Sequence, residues 1–197
     1  MNTIPINTFI IVAAVIIVAL AAIGWAVMQR RRSLKLRQRF GPEYDRAMNE
    51  FGGKTKAEAE LTKREQRVAR LNLIPITAAD AARFSDAWSA LQGRFVDNPK
   101  GVPAEADILV RELMVKRGYP MGDFELRAAD ISVDHPGVVK NYRAAQAIAV
   151  RDARGEADTE ELRQAVIHYR TLFDELLGVV PVKRASVPAV HDVPVRT

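Results

Sequence analysis

The chain has 197 residues, with 29 lysines and arginines against 24 acidic residues and no cysteine. This length fits one ordinary domain plus an appendage, and a composition of 48% apolar and 27% charged residues excludes a wholly disordered chain. The absence of cysteine excludes disulfide scaffolds, thiolate metal sites and cysteine nucleophiles. A net charge of +5 raises the possibility of nucleic-acid binding, which depends on where the charge lies.

The first element is an apolar run over residues 9–28, in which only Gly24 falls outside the apolar set. Twenty helical residues span about 30 Å, the thickness of the hydrocarbon core of a bilayer. Trp25 lies near the carboxyl end of the run, where an indole ring can rest at the membrane interface. The sequence therefore predicts a transmembrane helix over residues 9–28.

A cleaved secretory signal is the closest alternative to this helix. Such signals begin with basic residues and have an apolar core of about 7–15 residues. Here residues 1–8 carry no basic side chain, the apolar run is longer, and the positive charge follows it. By the positive-inside rule we expect a single-pass anchor with residues 1–8 outside and the remainder of the chain in the cytoplasm. The basic juxtamembrane helix over residues 29–40 is predicted to contact anionic lipid headgroups through Arg30, Arg31, Arg32, Lys35, Arg37 and Arg39.

The charge of the region that follows argues against nucleic acid. Residues 41–178 carry a formal charge of −3, whereas a nucleic-acid-binding domain presents a basic face. The positive excess of the chain lies in residues 29–40 and in the tail. We therefore predict that the membrane, not nucleic acid, is the partner of the basic residues.

Two lighter linking helices are predicted within residues 41–76. Gly41 and Pro42 form a joint, a short helix occupies residues 42–51, and a second helix occupies residues 54–71. The apolar stripe of the second helix is narrow, consisting of Ala57, Leu61, Val68 and Leu71, with Arg64 in the same seam. Such a stripe suits a helix on the surface of a bundle, a helix that pairs with a partner, or a solvated linking helix. Residues 71–76 contain Pro75 and are predicted to form a connector.

Four main helices follow in residues 77–178, at about 78–95, 104–117, 136–154 and between Asp158 and Gly178. Thr77 with Asp80 and Asp158 with Glu161 resemble capping pairs. The clearest buried stripe is that of the last helix, with Leu162, Ala165, Val166, Tyr169, Leu172, Phe173 and Leu176. The predicted fold is all-α: an N-terminal transmembrane helix followed by an irregular helical bundle of about four main helices plus two lighter helices. Residues 179–197 contain three prolines and no period, and are predicted to be disordered.

Motifs of catalysis and metal binding are missing from the sequence. The three histidines, His135, His168 and His191, form no metal-ligand spacing, and there is no nucleophile elbow or phosphate-binding glycine loop. We therefore predict no metal and no cofactor, and assign no catalytic residue. Nothing in the motifs indicates an enzyme.

The segment over residues 118–136 is the best candidate for a site. It is long for a connection between bundle helices, and its apolar residues predict a short helix that closes one end of the bundle. Asp134 is placed to cap the helix that begins at Pro136. The candidate ligand or partner site consists of Tyr119, Asp130, Asp134 and His135, although capping and loop packing explain the same residues without a ligand.

The segments RFGPEYDRAM, RFVDNP, GYP and ISVDHP follow the basic flank in that order. They resemble an uncharacterised family of small single-pass bacterial membrane proteins, and the likeness covers residues 39–178. The resemblance implies a protein of the bacterial inner membrane. It brings no activity, cofactor or residue role.

Three functions compete on this sequence. The first is a membrane-anchored helical interaction or scaffold module at the cytoplasmic face, which holds a protein partner or a second copy of itself. The second is a membrane-tethered enzyme or small-ligand sensor that uses residues 118–136. The third is electrostatic lipid sensing by the basic flank, with the bundle as a passive domain.

Overall fold

The computed structural model describes residues 6–178, which form helices joined by turns and short connections, with no strand in that range. The predicted all-α class is confirmed. Residues 1–5 and the tail 179–197 lie outside the described residues, and with them lie the predicted tail disorder and His191. The helices are α1 (Ile6–Phe40), α2 (Pro42–Glu50), α3 (Lys54–Val68), α4 (Ala78–Asp97), α5 (Val102–Arg117), α6 (Phe124–Asp134), α7 (Pro136–Asp152) and α8 (Thr159–Leu177).

Helix α1 is continuous for 35 residues and joins the apolar run to the basic flank. By length and composition, its stretch Ala14–Phe40 is the one helix in the described chain that is suited to cross a membrane, and its apolar window is not buried inside the protein. A signal sequence near the N-terminus can meet the same criteria of length and hydropathy, so the helix is a candidate span without an assigned orientation. The helix ends at the expected joint, where Gly41 has a positive φ of 48° and Pro42 opens α2.

The carboxyl end of α1 belongs to the folded domain. Leu36 and Phe40 are buried together with Tyr44, Ala47, Ala57, Leu61, Val68 and Val133. These residues of α1, α2, α3 and α6 form a cluster at the carboxyl end of α1, called here the proximal cluster. One face of the basic flank, residues 29–40, therefore packs against α2, α3 and α6. It is not a free helical extension.

The larger cluster lies among α4 to α8. Trp88, Phe173, Tyr142 and Tyr169 are fully buried there, and the Trp88 and Phe173 ring centroids lie 4.7 Å apart. All seven predicted positions on α8 are buried. Leu71 and Leu73 pack against both clusters, so the connector between α3 and α4 also joins the two cores.

The two predicted capping pairs, Thr77 with Asp80 and Asp158 with Glu161, are confirmed. The Thr77 hydroxyl oxygen accepts from the Asp80 backbone N–H at 3.1 Å, and Asp158 and Glu161 form a reciprocal capping box. Such local pairs are set by residues three positions apart, which is why they can be found in a sequence.

The apolar stripe of α3 is buried within the protein. Ala57, Leu61 and Val68 are buried against α1, α2 and α6, and Arg64 is only 5% exposed. The description as a solvated linking helix is wrong, because neighbouring helices of the same chain cover the stripe. The same contacts leave it unavailable to another protein.

Candidate functional site

Helix α6 is the centre of the candidate site. It lies between the two cores, contacts both α3 and α7, and buries every residue from Ala128 to Val133. Residues 118–136 thus contain the predicted short helix, and that helix also bridges the proximal cluster and the larger cluster. Its polar side chains are used in this bridging.

Tyr119 and Asp134 are brought together. Tyr119 is 5% exposed, and its hydroxyl donates to Asp134 Oδ2 over a long 3.4 Å. Burial and the neighbouring Asp134 carboxylate raise the pKa of the Tyr119 phenol well above its ordinary value. The phenol therefore remains protonated as a hydrogen-bond donor, and it is unsuited to act as a base near neutral pH.

Asp130 lies deeper and has a different partner. Its carboxylate is buried, and Arg67 Nε of α3 donates to Asp130 Oδ1 at 2.6 Å. Burial raises the pKa of Asp130, and the Arg67 guanidinium opposes that shift. Oδ2 has no hydrogen-bond partner among the described residues. Asp130 serves as an ion-pair link between α3 and α6.

His135 is paired elsewhere. Its Nδ1 lies 3.0 Å from Glu175 Oε1 near the end of α8, so it joins the α6–α7 corner to the last helix. The four predicted residues therefore divide into three separate sets of contacts. Only Tyr119 and Asp134 share a direct hydrogen bond.

The predicted capping role of Asp134 is wrong. The residue that precedes α7 is His135, which makes no side-chain cap, and Asp134 remains the last residue of α6. Asp134 Oδ1 instead lies 3.5 Å from Arg39 Nη2 of α1. The Asp134 carboxylate therefore pairs with a guanidinium from a helix distant in the sequence and does not cap α7.

Arg39 is the main connection between α1 and the site. Its Nη1 lies 3.2 Å from Glu65 Oε1, and its Nε donates to the Val133 carbonyl at 3.3 Å, close to the carboxyl end of α6. A cation at the carboxyl end of a helix also interacts favourably with the helix dipole. Arg39 thus holds α1, α3 and α6 together.

A shallow groove borders these residues. Its lining includes the cations Lys35 and Arg39, the carboxylates Glu65 and Asp134, and the connector residues Asn72 and Leu73. Its volume is about 560 Å³ and it is open to solvent. The paired charges cancel, so the groove favours neither anions nor cations.

The six basic residues predicted to contact lipid all have exposed side chains, but they divide into two groups. Arg32 donates to Thr62 Oγ1 at 2.9 Å, Arg37 lies 3.8 Å from Asp45, and Arg39 binds Glu65 and Asp134. Arg30, Arg31 and Lys35 form no ion pair within residues 6–178. Half of the basic flank is therefore engaged by the domain.

Sequence reasoning missed a buried charge network between α2, α3 and α7. Glu43 lies 3.9 Å from Arg64 and 3.6 Å from Arg143, and both Glu43 and Arg64 are almost fully buried. Tyr44 donates to Glu58 at 2.8 Å, and burial with this bond raises the pKa of Tyr44 to about 12. The available signal was Arg64, a cation in the middle of an apolar stripe, which requires a buried carboxylate partner.

Within residues 6–178, no group of three or more histidine and carboxylate side chains is placed to hold a metal ion. His168, the remaining described histidine, contacts Asn141 Oδ1 through Nδ1 at 3.2 Å. The polar residues of the candidate site are thus explained by contacts between helices.

Comparison of the chain with known proteins identifies no relative. No family model matches the chain, and neither the curated proteins nor the solved structures contain a significant match.

Proposed function

We propose that the chain is a membrane-anchored helical scaffold that displays its α2–α8 domain at the cytoplasmic face of a bacterial inner membrane. The observation that carries this proposal is the continuity of α1. The same helix is apolar and exposed at Val12 and from Ala14 to Met28, and then buries Leu36 and Phe40 in the domain. A free apolar helix of that length requires a lipid environment.

The orientation follows from the position of the basic residues. Six basic side chains follow the apolar run, and none precedes it. The positive-inside rule then places residues 29–178 in the cytoplasm. The resemblance to bacterial single-pass membrane proteins supports the same location.

The interaction role is supported by the bundle surface. A shallow groove between α4 and α5 is lined by Leu91, Ile108 and Leu109 with charges from Arg94 and Glu105 at its side. Ile108 and, one heptad further along α5, Val115 are about half exposed. This apolar face is the surface of the bundle that we assign to a protein partner or a second copy.

Topology can be tested with single cysteines because the native chain has none. Lys140 is an exposed position of α7. We expect Lys140→Cys to react with a membrane-impermeant maleimide only after the cells are opened. Asn2→Cys serves as the opposite probe and should react in intact cells. Labelling of Lys140→Cys in intact cells would overturn the orientation.

The partner surface can be tested by site-specific photocrosslinking in native membranes. A photoreactive residue at Ile108 should give a discrete adduct, either with a partner or with a second copy of the chain. The matched control is Val150 on α7, which is 40% exposed and does not line the groove. Absence of an adduct at Ile108, together with a monomer in detergent, would contradict the scaffold function.

A further inference from the structure

The turn between α2 and α3 lies at the level where the apolar part of α1 ends. Lys54 and Thr55, in the first turn of α3, line one surface depression together with Trp25 and Gln29 of α1. Lys54 also borders a neighbouring depression with Arg30 and Ser33. A segment about 25 residues downstream is thus placed beside the end of the span.

The contacts along α3 fix its direction. Arg32 binds Thr62 and Arg39 binds Glu65, so α3 runs parallel to α1 and away from the apolar end. Helix α2 runs back toward that end, since Arg37 pairs with Asp45 and Arg30 lies beside Asn49. Residues 52–56, called here the basic tip, are therefore the part of the domain nearest the membrane.

Distances along α1 separate the basic residues by depth. At about 1.5 Å per residue, Arg30 and Arg31 lie about 3–5 Å beyond Met28, within a headgroup layer of about 5–8 Å. Arg37 and Arg39 lie about 14–17 Å beyond it, outside that layer. The deeper pair of arginines is level with the basic tip.

The lysine side chains of the basic tip are accessible to an anionic ligand. Lys54 and Lys56 are exposed, and the first turn of α3 contains no acidic residue. Lys54 forms a long ion pair with Glu58, with 4.0 Å between Nζ and Oε1, whereas Lys56 forms no ion pair with the part of the chain that the structure describes. Four cations from two segments thus lie at a similar level along α1.

We propose that the basic tip is a second membrane contact, at which Lys54 and Lys56 bind the phosphates of anionic phospholipids together with Arg30 and Arg31. This inference rests on the membrane anchor of the proposed function. It changes the predicted lipid contacts: Arg32, Arg37 and Arg39 hold the domain onto α1, while the basic tip supplies the missing cations. Two contact points fix the tilt of the domain on the bilayer, which one helix cannot do.

The test uses the full chain in nanodiscs with an environment-sensitive fluorophore on Thr55→Cys. Nitroxide lipids labelled just below the headgroup are supplied as phosphatidylglycerol or as phosphatidylcholine at equal mole fraction. We expect stronger quenching by the anionic lipid, with a preference of about fivefold per lysine at low salt. The double substitution Lys54→Gln with Lys56→Gln should lower the preference by about fivefold for each lysine removed, and the part due to Arg30 and Arg31 should remain.

The matched control is Lys63→Gln with Lys140→Gln, which removes the same charge from exposed positions farther from the span. The control should retain the preference. Equal quenching by both lipids, no quenching at position 55, or an equal loss in the control would overturn the inference.

A second label distinguishes this failure from failure of the anchor. Ile16→Cys lies in the apolar part of α1, and its fluorophore should be quenched by nitroxides near the centre of the bilayer in every variant. Quenching at position 16 without lipid preference at position 55 leaves the anchor intact and rejects the second contact. No quenching at position 16 rejects the anchor itself.

Discussion

The Asp130–Arg67 pair is unequal, and the two partners should respond differently to substitution. Asp130 is 1% exposed, whereas the Arg67 side chain is 28% exposed and can reach water. Burial raises the pKa of Asp130 even beside the guanidinium, so its ionised form is costly in the folded protein. Without Arg67 that charge would be uncompensated.

We predict that Arg67→Met lowers the free energy of unfolding by about 3 kcal/mol at pH 7, the lower end for breaking a buried pair. Asp130→Asn should cost only about 1 kcal/mol, because a neutral amide can still accept from Arg67. The measurement is urea unfolding of the full chain in micelles. Equal losses in the two variants would contradict the asymmetry.

The pH dependence provides a second check on the same pair. A carboxyl group with a raised pKa in the folded state destabilises that state fully above the folded pKa, and this penalty disappears as the pH falls through it. The deficit of Arg67→Met relative to the native chain should therefore shrink below pH 7 toward the ordinary aspartate value of 3.8. A deficit that does not change with pH would assign the loss to packing of the arginine stem.

Gly118 meets two constraints at one residue. It ends α5 with a φ of 91°, and a Cβ placed there would lie 2.6 Å from the Asn72 carbonyl oxygen. The connector is also hydrogen-bonded to the end of α5, since the Ile74 N–H donates to the Arg117 carbonyl at 2.9 Å. The connector that joins the two cores therefore rests directly on this glycine.

We predict that Gly118→Ala destabilises the chain by roughly 3 kcal/mol, from left-handed backbone strain and displacement of the connector. Gly101→Ala is the matched control, because Gly101 has a φ of 80° but open space around its Cα. It should lose only about 1 kcal/mol. The difference in urea midpoints measures the clash with Asn72, and no difference would refute it.

At the scale of elements, α8 begins with an acidic turn that is sensitive to pH. Glu160 accepts from Arg163 at 2.7 and 2.6 Å and from Gln164 at 2.8 Å. Hydrogen bonds with Arg163 and Gln164 lower the pKa of Glu160 from 4.5 to about 2. The pKa of Glu161 is also lowered, first by its bond with Arg151.

A lowered carboxyl pKa stabilises the folded state above the unfolded value, and that stabilisation is lost as pH falls through the folded value. We therefore predict that the urea midpoint decreases between pH 4.5 and about 2. Glu160→Gln should reduce this slope, most clearly at low salt because the site is exposed. Glu156→Gln removes a nearby exposed charge and should leave the slope unchanged. An identical slope in both variants would contradict the role of Glu160.

The elements also separate what a sequence can predict from what it cannot. The buried stripe of α8 and its capping box depend on residues three or four positions apart, and both were predicted correctly. The Arg67–Asp130 bond joins residues 63 positions apart, and Arg39 reaches across 94 to the Val133 carbonyl. No periodicity encodes such pairs. Asp134 was assigned to a cap for this reason, since the local pattern fitted and the competing guanidinium lay on another helix.

At the scale of the molecule, α1 and α6 together connect the candidate span to the bundle. Helix α1 buries Leu36 and Phe40 in the proximal cluster, and Arg39 fastens it to α3 and α6. Helix α6 contributes Val133 to the proximal cluster and Ile131 to the larger one. The bundle should therefore move with α1 as one body, provided that the helix stays continuous between Met28 and Ser33.

We predict that Arg31→Pro redirects the domain without unfolding it. Proline at position 31 removes the backbone bond to residue 27 and kinks the helix, whereas the packed residues 33–40 lie beyond the kink. Spin labels on Val27→Cys and Ala82→Cys should give a narrow distance distribution in nanodiscs for the native helix. The distribution should shift and broaden in the proline variant. Arg31→Ala loses the same charge but preserves the helix, so it should keep the native distance distribution. The same distribution in both variants would show that the position of the domain does not depend on a continuous α1.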